Sequence, residues 1–314
     1  MEKQIIPIFF SIDDNYAPYF KIALKSIMEN SNPNNEYRIY VLYSNMSEKT
    51  IDGIKEILKE NFICEFVDMN PHLQEISDKL FTRDYYSKTT YYRLFIPNMF
   101  SQYDKAIYVD ADIAVNSDIA NFYNQDIGTN LLGAIPDESV QIVDEFIVYV
   151  EKYLGVKHEN YFNAGVIVMN LKELRSFNFE EKFISLLGQI KFPVAQDQDY
   201  LNVICKDRIQ YLPLSWNKQP FKKEGYSLEN INLVHYNLSF KPWHYNNIEY
   251  QELFHKFANE IGLTDFIKNN IENYTEENKQ KDALCGENLR KMAYEFSTVS
   301  DTFAKLLENG KITI

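Results

Sequence analysis

Two aspartates separated by one residue close the apolar run Lys105-Ala-Ile-Tyr-Val-Asp110-Ala-Asp112. In an extended segment residues i and i+2 project to the same side, so Asp110 and Asp112 can face one cation. Carboxylate oxygens are hard ligands suited to Mg²⁺ or Mn²⁺, ions that keep positions open for the phosphate oxygens of a substrate. Acid-x-acid triplets also arise by chance in an acidic chain, where the bland reading is a solvated turn. Position singles this one out, because two charges directly behind a buried-looking strand are costly to bury without a partner.

Five further segments carry polar groups beside apolar ones. They are Phe10-Ser11-Ile12-Asp13-Asp14-Asn15-Tyr16, Thr89-Thr-Tyr-Tyr-Arg93-Leu, Tyr161-Phe-Asn163-Ala164-Gly165-Val, Gln196-Asp197-Gln198-Asp199 and His235-Tyr-Asn-Leu238-Ser-Phe-Lys241-Pro-Trp243-His. Each has a structural reading when taken alone. Asp14 or Asn15 could cap the helix that follows, and Arg93 could lie on the surface. Asn163-Ala-Gly could be a turn with Gly165 a bulge, and residues 196–199 a solvated helix start whose acids suit the macrodipole. A lone His235 is ordinarily structural, but its six-residue spacing to Lys241, followed by Pro242-Trp243, is hard to reach by accident.

The elements that must position these groups alternate between short β-rich runs and amphipathic helices to about residue 215, the βα pattern of a mostly parallel sheet. Strands are expected at Ile5 to Ile12, Arg38 to Tyr43, Ile63 to Asp68, Lys105 to Val109, Leu131 to Ile135 and Ala164 to Asn170. Helices are expected at Ala17 to Met28 and at Ser47 to Glu60, the latter with Ser47 as N-cap. The expected fold class is α/β, one doubly wound sheet, whose ligands sit beyond the carboxyl ends of the strands. Residues 1–259 are read as one domain and 260–314 as a helical appendage that carries no chemistry, with helical spacing from Asp265 to Leu307.

The 314 residues, 45% hydrophobic, suffice for a large core. No apolar run approaches the roughly 20 residues that span a bilayer, and no leader pattern precedes Ile5, so a cytoplasmic protein without an integral membrane segment is expected. Three dispersed cysteines suggest neither disulfides nor zinc. A net charge of −13 argues against a nonspecific grip on nucleic acid. Aromatic residues make up 15% of the chain, and Tyr and Trp faces suit sugar rings.

Together and in this order, the six segments resemble the retaining glycosyltransferases of family eight, which include bacterial lipooligosaccharide galactosyltransferases and glycogenin. The resemblance covers roughly residues 5 to 245 and implies a GT-A-like fold that takes a hexose, galactose or glucose, from a UDP-sugar. It implies that Ser11, Ile12, Asp13, Asn15 and Tyr16 hold uracil and ribose, and that Arg93 reaches the donor sugar or its phosphates. Asn163, Ala164 and Gly165 would contact the donor sugar, with Asp197 and Gln198 along its reactive face. Asp110, Asp112 and His235 would bind Mn²⁺ or Mg²⁺, with Ala111 against the nucleotide and Lys241 on the diphosphate.

One departure concerns the diphosphate loop, where the family usually has glycine and this chain has Leu238. For the chemistry, Gln198 stands where a covalent route would need a nucleophile. An amide is a poor one, so same-face attack is expected, with Gln198 and Asp199 steadying the sugar cation and Asp137, placed after a strand, orienting acceptor hydroxyls. The acceptor is expected to be a glycan, glycolipid or glycoprotein of a bacterial surface. The alternatives are a nucleotide-sugar-binding protein without transferase activity, and a sugar nucleotidyltransferase. The second would need a glycine-rich basic loop where this chain has Asp13-Asp14.

Overall fold

The computed structural model describes residues 3–73, 80 and 88–314. Its centre is a seven-stranded sheet in the order β3-β2-β1-β4-β7-β6-β8. The strands are β1 (Ile5–Ser11), β2 (Glu36–Tyr43), β3 (Phe62–Asp68), β4 (Lys105–Val109), β6 (Leu132–Pro136), β7 (Phe162–Asn170) and β8 (Ile209–Tyr211). A two-stranded antiparallel ribbon joins β5 (Ile113–Val115) to β9 (Leu233–His235).

Both faces of the sheet are covered, which is why its central strands read as near-continuous apolar runs. Along β1, Ile6, Ile8 and Phe10 enter the core on one face while Phe9 enters the core on the other. The helix Ala17–Glu29 buries Phe20, Ala23, Leu24 and Ile27, at helical spacing, against the first of these faces. Among the expected elements, the helix from Ser47 is shorter than its sequence pattern, Glu48–Lys55, with Ser47 Oγ accepting the Thr50 N–H as N-cap.

The sheet is mostly parallel, with β7 running against both β4 and β6. Beyond β1 the chain builds outward through β2 and β3, then returns to place β4 on the other side of β1. The crevice that such a reversal opens lies at the carboxyl ends of β1 and β4. Because β7 is antiparallel, its first residues, not its last, reach the same edge. The Asp110 N–H donates to Gly165 O at 2.7 Å across this junction.

Beyond residue 260 the described structure is helical, at Thr264–Asn273, Glu276–Ser297 and Phe303–Glu308. These helices are bound into the protein. Leu289, Ala293 and Phe303 belong to the same core as Tyr149, Phe192 and Tyr200, and Ile267 packs with Trp243 and Phe254. No helix among the described residues is long and apolar enough to cross a membrane.

Candidate active site

The chain leaves the large sheet at Asp110 and enters the ribbon at Ile113, so the two aspartates stand at the junction of β4 and β5 rather than within one strand. Ile113 pairs with His235 across the ribbon, and the Tyr236 N–H donates to Asp112 O at 2.8 Å. This pairing brings His235 beside carboxylates that are remote in sequence. His235 Nε2 lies 3.2 Å from Asp112 Oδ1 and 3.8 Å from Asp110 Oδ2. One ligand atom from each of the three residues falls within 4.8 Å of the others.

Two of these atoms, His235 Nε2 and Asp112 Oδ1, are buried and have no hydrogen-bond partner. Buried polar atoms of a folded protein are paired in the large majority of cases, so two orphans facing one point fit a cation between them. Gly165 completes the cradle, since a Cβ there would stand 2.4 Å from Asp110 Oδ2 and 2.4 Å from His235 Cε1. The residues present therefore fit a divalent ion.

Lys241 Nζ donates to Asp112 Oδ2 and, at 2.8 Å, to Tyr236 O. Burial alone would raise the Asp112 carboxyl, but the neighbouring Lys241 ammonium outweighs it and holds the group well below the usual carboxylate range. Lys241 rides on a loop in which Leu238 has φ 52°, the left-handed conformation that glycine adopts freely. The loop thus keeps the backbone of a glycine while carrying a side chain.

Across the cavity Arg93 is buried against the Tyr108 ring, 4.3 Å from its centroid. Its guanidinium meets Asp197 Oδ2 at 3.0 Å and Asp110 Oδ1 at 3.4 Å, and donates to Ala164 O. The surface reading of Arg93 is excluded by this geometry. Burial pushes the Asp197 carboxyl up to about 6 even against the pull of Arg93 and Thr90. The solvated reading of 196–199 also fails, because Asp197 and Asp199 are buried and Gln196, at φ 50°, turns the chain sharply into the helix Asp197–Cys205.

Gln198 is held at both ends of its amide. Its Oε1 accepts the Ala164 N–H at 2.9 Å, and its Nε2 donates to Asp137 Oδ2 at 3.1 Å. Asp137 also accepts from Asn163 Nδ2 at 3.0 Å, from the Ser139 N–H at 2.9 Å and from Gln219 Nε2 at 3.1 Å. With its oxygens so engaged, Asp137 organises Gln198 and Asn163 as well as facing the cavity.

A single cavity of about 240 Å³ brings together Ser11 at the end of β1 and Ile12, Asp13 and Tyr16 after it with Asp110, Asp112 and His235, Ala111, Arg93, the start of β7, Asp137, Asp197, Gln198, Leu238 and Lys241. Two of the sequence candidates stand outside it. Asn15 lines a neighbouring polar pocket with Asp13, Asp14 and Lys88. Asp199 lies behind the wall, where its oxygens accept from Tyr161 Oη at 2.7 Å and Tyr149 Oη at 2.9 Å and from the Ala195 N–H at 3.0 Å. The helix after β1 starts without the side-chain cap the sequence suggests: Tyr16 is its N-cap, Asp13 Oδ1 takes the Tyr16 N–H at 3.0 Å, and Asp14 holds the Ser47 N–H at 3.0 Å.

Several residues that matter here had no signal in sequence. Asn217, Lys218 and Gln219 form an almost fully buried polar strap behind the site. Asn217 touches His235 and Asn163, Lys218 neutralises the buried Glu138 at 3.0 Å, and Gln219 supports Asp137. Leu289 on the helix Glu276–Ser297 also lines the cavity, so the C-terminal helices contribute to its wall.

The Asp-Asp-His cluster thus stands at the switch point of a doubly wound sheet, beside a cavity with buried Arg and Lys, and the comparisons identify the class of protein as a glycosyltransferase. Residues 7–247 match the family described as glycosyl transferase family 8, and the chain belongs to that family. It is 26% identical over 268 residues to the lipopolysaccharide 1,2-glucosyltransferase of Escherichia coli, covering 77% of this chain and 74% of that protein. Among solved structures, it is similar to the galactosyltransferase LgtC in complex with donor and acceptor sugar analogues, with TM-score 0.67 and 27% identity over 81% of this chain and 96% of that one. It is also similar to the bifunctional glycosyltransferase WbbM, with TM-score 0.72 and 26% identity over 85% of this chain and 52% of that one.

Proposed function

We propose that this chain transfers a hexose, galactose or glucose, from a UDP-sugar to a glycan, glycolipid or glycoprotein acceptor with retention of the anomeric configuration. In this reading Asp110, Asp112 and His235 hold Mn²⁺ or Mg²⁺. The observation that carries it is the pair of buried, unpartnered atoms His235 Nε2 and Asp112 Oδ1 facing each other within the cavity. When bound, the cation supplies Lewis acidity that stabilises charge on the departing diphosphate.

The chain's own residues supply the rest. Lys241 and Arg93 are buried positive groups fixed in the wall of the cavity, where preorganised charge stabilises a leaving anion without reorganising. Uracil and ribose are assigned to Ser11, Ile12, Asp13 and Tyr16, with Asn15 at the outer rim. The sugar is assigned to Asn163, Ala164, Gly165, Asp197 and Gln198, which cluster within hydrogen-bonding reach of one another through Arg93 and Asp137. An amide held at both ends cannot swing to attack carbon, which supports same-face attack of the acceptor over a covalent intermediate at Gln198.

The similarity to the Escherichia coli lipopolysaccharide 1,2-glucosyltransferase supports an acceptor of the surface-glycan class. The test is incubation with UDP-galactose, UDP-glucose and simple glycosides, reading UDP release and the product's anomeric proton coupling. An α product from the α-linked donor supports the reading. Tight UDP-sugar binding with no release from any donor would instead select a binding protein, and a β product would overturn retention.

A further inference from the structure

We propose that Asn217 is a positioning residue that holds the His235 proton on Nδ1, leaving the Nε2 lone pair aimed into the carboxylate cluster. The inference rests on the cation site proposed above, but its first test does not require catalysis. Its basis is a chain of hydrogen bonds whose direction is fixed at one end. The Gly165 backbone N–H can only donate, and it meets Asn163 at 3.0 Å, so the Asn163 atom there is the carbonyl Oδ1. The other terminal atom of Asn163 is therefore Nδ2, which donates to Asp137 Oδ2 at 3.0 Å.

Asn217 also meets Asn163 Oδ1, at 3.1 Å, and must present its Nδ2 to that acceptor. Its remaining atom, Oδ1, faces His235 Nδ1 at 3.0 Å. An amide oxygen only accepts, so Nδ1 carries the proton. The opposite ring nitrogen, Nε2, is buried and makes no hydrogen bond, although Asp112 Oδ1 is 3.2 Å away. A proton on Nδ1 accounts for the Asn217 end of the ring and leaves Nε2 as the atom open to a cation, and metal-binding histidines are commonly fixed in this way by a second partner.

The same side chain thus needs a donor on one side and an acceptor on the other. At this length only asparagine supplies both. Because Asn163 also holds Asp137, and Asp137 holds Gln198, the network ties the orientation of the metal-facing imidazole to the amide on the sugar side.

The test uses cation-free protein labelled with ¹⁵N-histidine, with His235→Ala to assign its ring among the five histidines. Long-range ¹H–¹⁵N correlation, recorded at a pH where the His235 ring is neutral, should show protonated Nδ1 and bare Nε2. In Asn217→Ala that pattern should be lost, and Mn²⁺ affinity, read by electron paramagnetic resonance, should fall about 10- to 100-fold. Asn217→Asp keeps an acceptor for Nδ1–H and should retain the tautomer and bind Mn²⁺ more tightly than the alanine variant. A proton on Nε2 with Nδ1 bare in the parent protein overturns the inference even if no variant folds. So does an alanine variant with unchanged tautomer and Mn²⁺ affinity, or an aspartate variant as weak as alanine. Intact tautomer control in a protein that never releases UDP would leave this inference standing and sink the transferase reading instead.

Discussion

Gly165 and Asp110 are in contact through the space a side chain at 165 would need: a Cβ there would sit 2.4 Å from Asp110 Oδ2. The backbone bond from the Asp110 N–H to Gly165 O, 2.7 Å long, pins the two strands at that distance, so neither can yield easily. Gly165→Ala is therefore expected to fold but to displace Asp110 and the His235 ring, weakening Mn²⁺ binding by at least about tenfold, as disturbed ligand support usually does. Mn²⁺ titration beside a far-ultraviolet circular dichroism spectrum checks it.

Leu238 shows the opposite case, a side chain where the backbone favours glycine. Left-handed backbone costs a non-glycine residue roughly 1–2 kcal/mol, whereas glycine loses about 0.5–1 kcal/mol of chain entropy on being ordered. Leu238→Gly should accordingly shift stability by no more than about 1 kcal/mol and leave UDP release near the parent rate, because the loop carrying Lys241 keeps its path. Chemical denaturation and a release assay test this. A large loss of activity would show that the leucine side chain itself serves the site.

Lys218 is fully buried, with Glu138 at 3.0 Å and the carbonyls of Gln219 and Phe221 as its other acceptors. Removing one member of a buried pair leaves an uncompensated charge, so Lys218→Met should cost about 3–5 kcal/mol in urea denaturation. Adding Glu138→Gln should recover part of that loss. If the double variant is as unstable as the sum of the singles, the pair is not the reason for the cost.

These residues mark the limit of what could be read from sequence. The central strands were legible as short apolar runs, and the six segments as one family's pattern because they occur together and in order, although each alone has a structural explanation. The geometry that unites them was only partly so. The ribbon strands β5 and β9 are three residues each, too short for periodicity to reveal, yet their pairing is what carries His235 to Asp112. Asn217, Lys218 and Gln219 lie in a loop with no repeating pattern, and their importance comes wholly from long-range contacts. Asp199 was legible as part of a motif but not in its role, since Tyr149 and Tyr161, which hold it behind the cavity wall, are remote in sequence.

His244 links the Lys241 loop to the C-terminal helices by stacking on Tyr274, with ring centroids 4.0 Å apart. Burial lowers its imidazole to about 4, with Asp282 opposing and Lys241 reinforcing the shift. The folded protein thus favours the neutral ring, and this contribution is complete above the ordinary histidine value of about 6.5 and is lost as pH falls toward 4. His244→Phe keeps the stack without the titration. Its melting temperature should fall less steeply than the parent's between pH 6.5 and 4; parallel curves would remove His244 from the cause.

If Asp110, Asp112 and His235 hold a cation against the diphosphate of a UDP-hexose, single-turnover UDP release should depend on that cation. The decisive measurement titrates Mn²⁺ into exhaustively chelated protein with UDP-galactose or UDP-glucose, for the parent chain, His235→Ala and Lys241→Ala. The chelated parent should release no UDP and gain rate saturably with Mn²⁺, while His235→Ala should need more Mn²⁺ and remain slower at saturation. Lys241→Ala should saturate near the parent's Mn²⁺ concentration but turn over about 100- to 1000-fold more slowly, having lost a positive contact to the leaving group. Full-rate release from chelated protein, or a His235→Ala variant indistinguishable from the parent, would contradict the cation site.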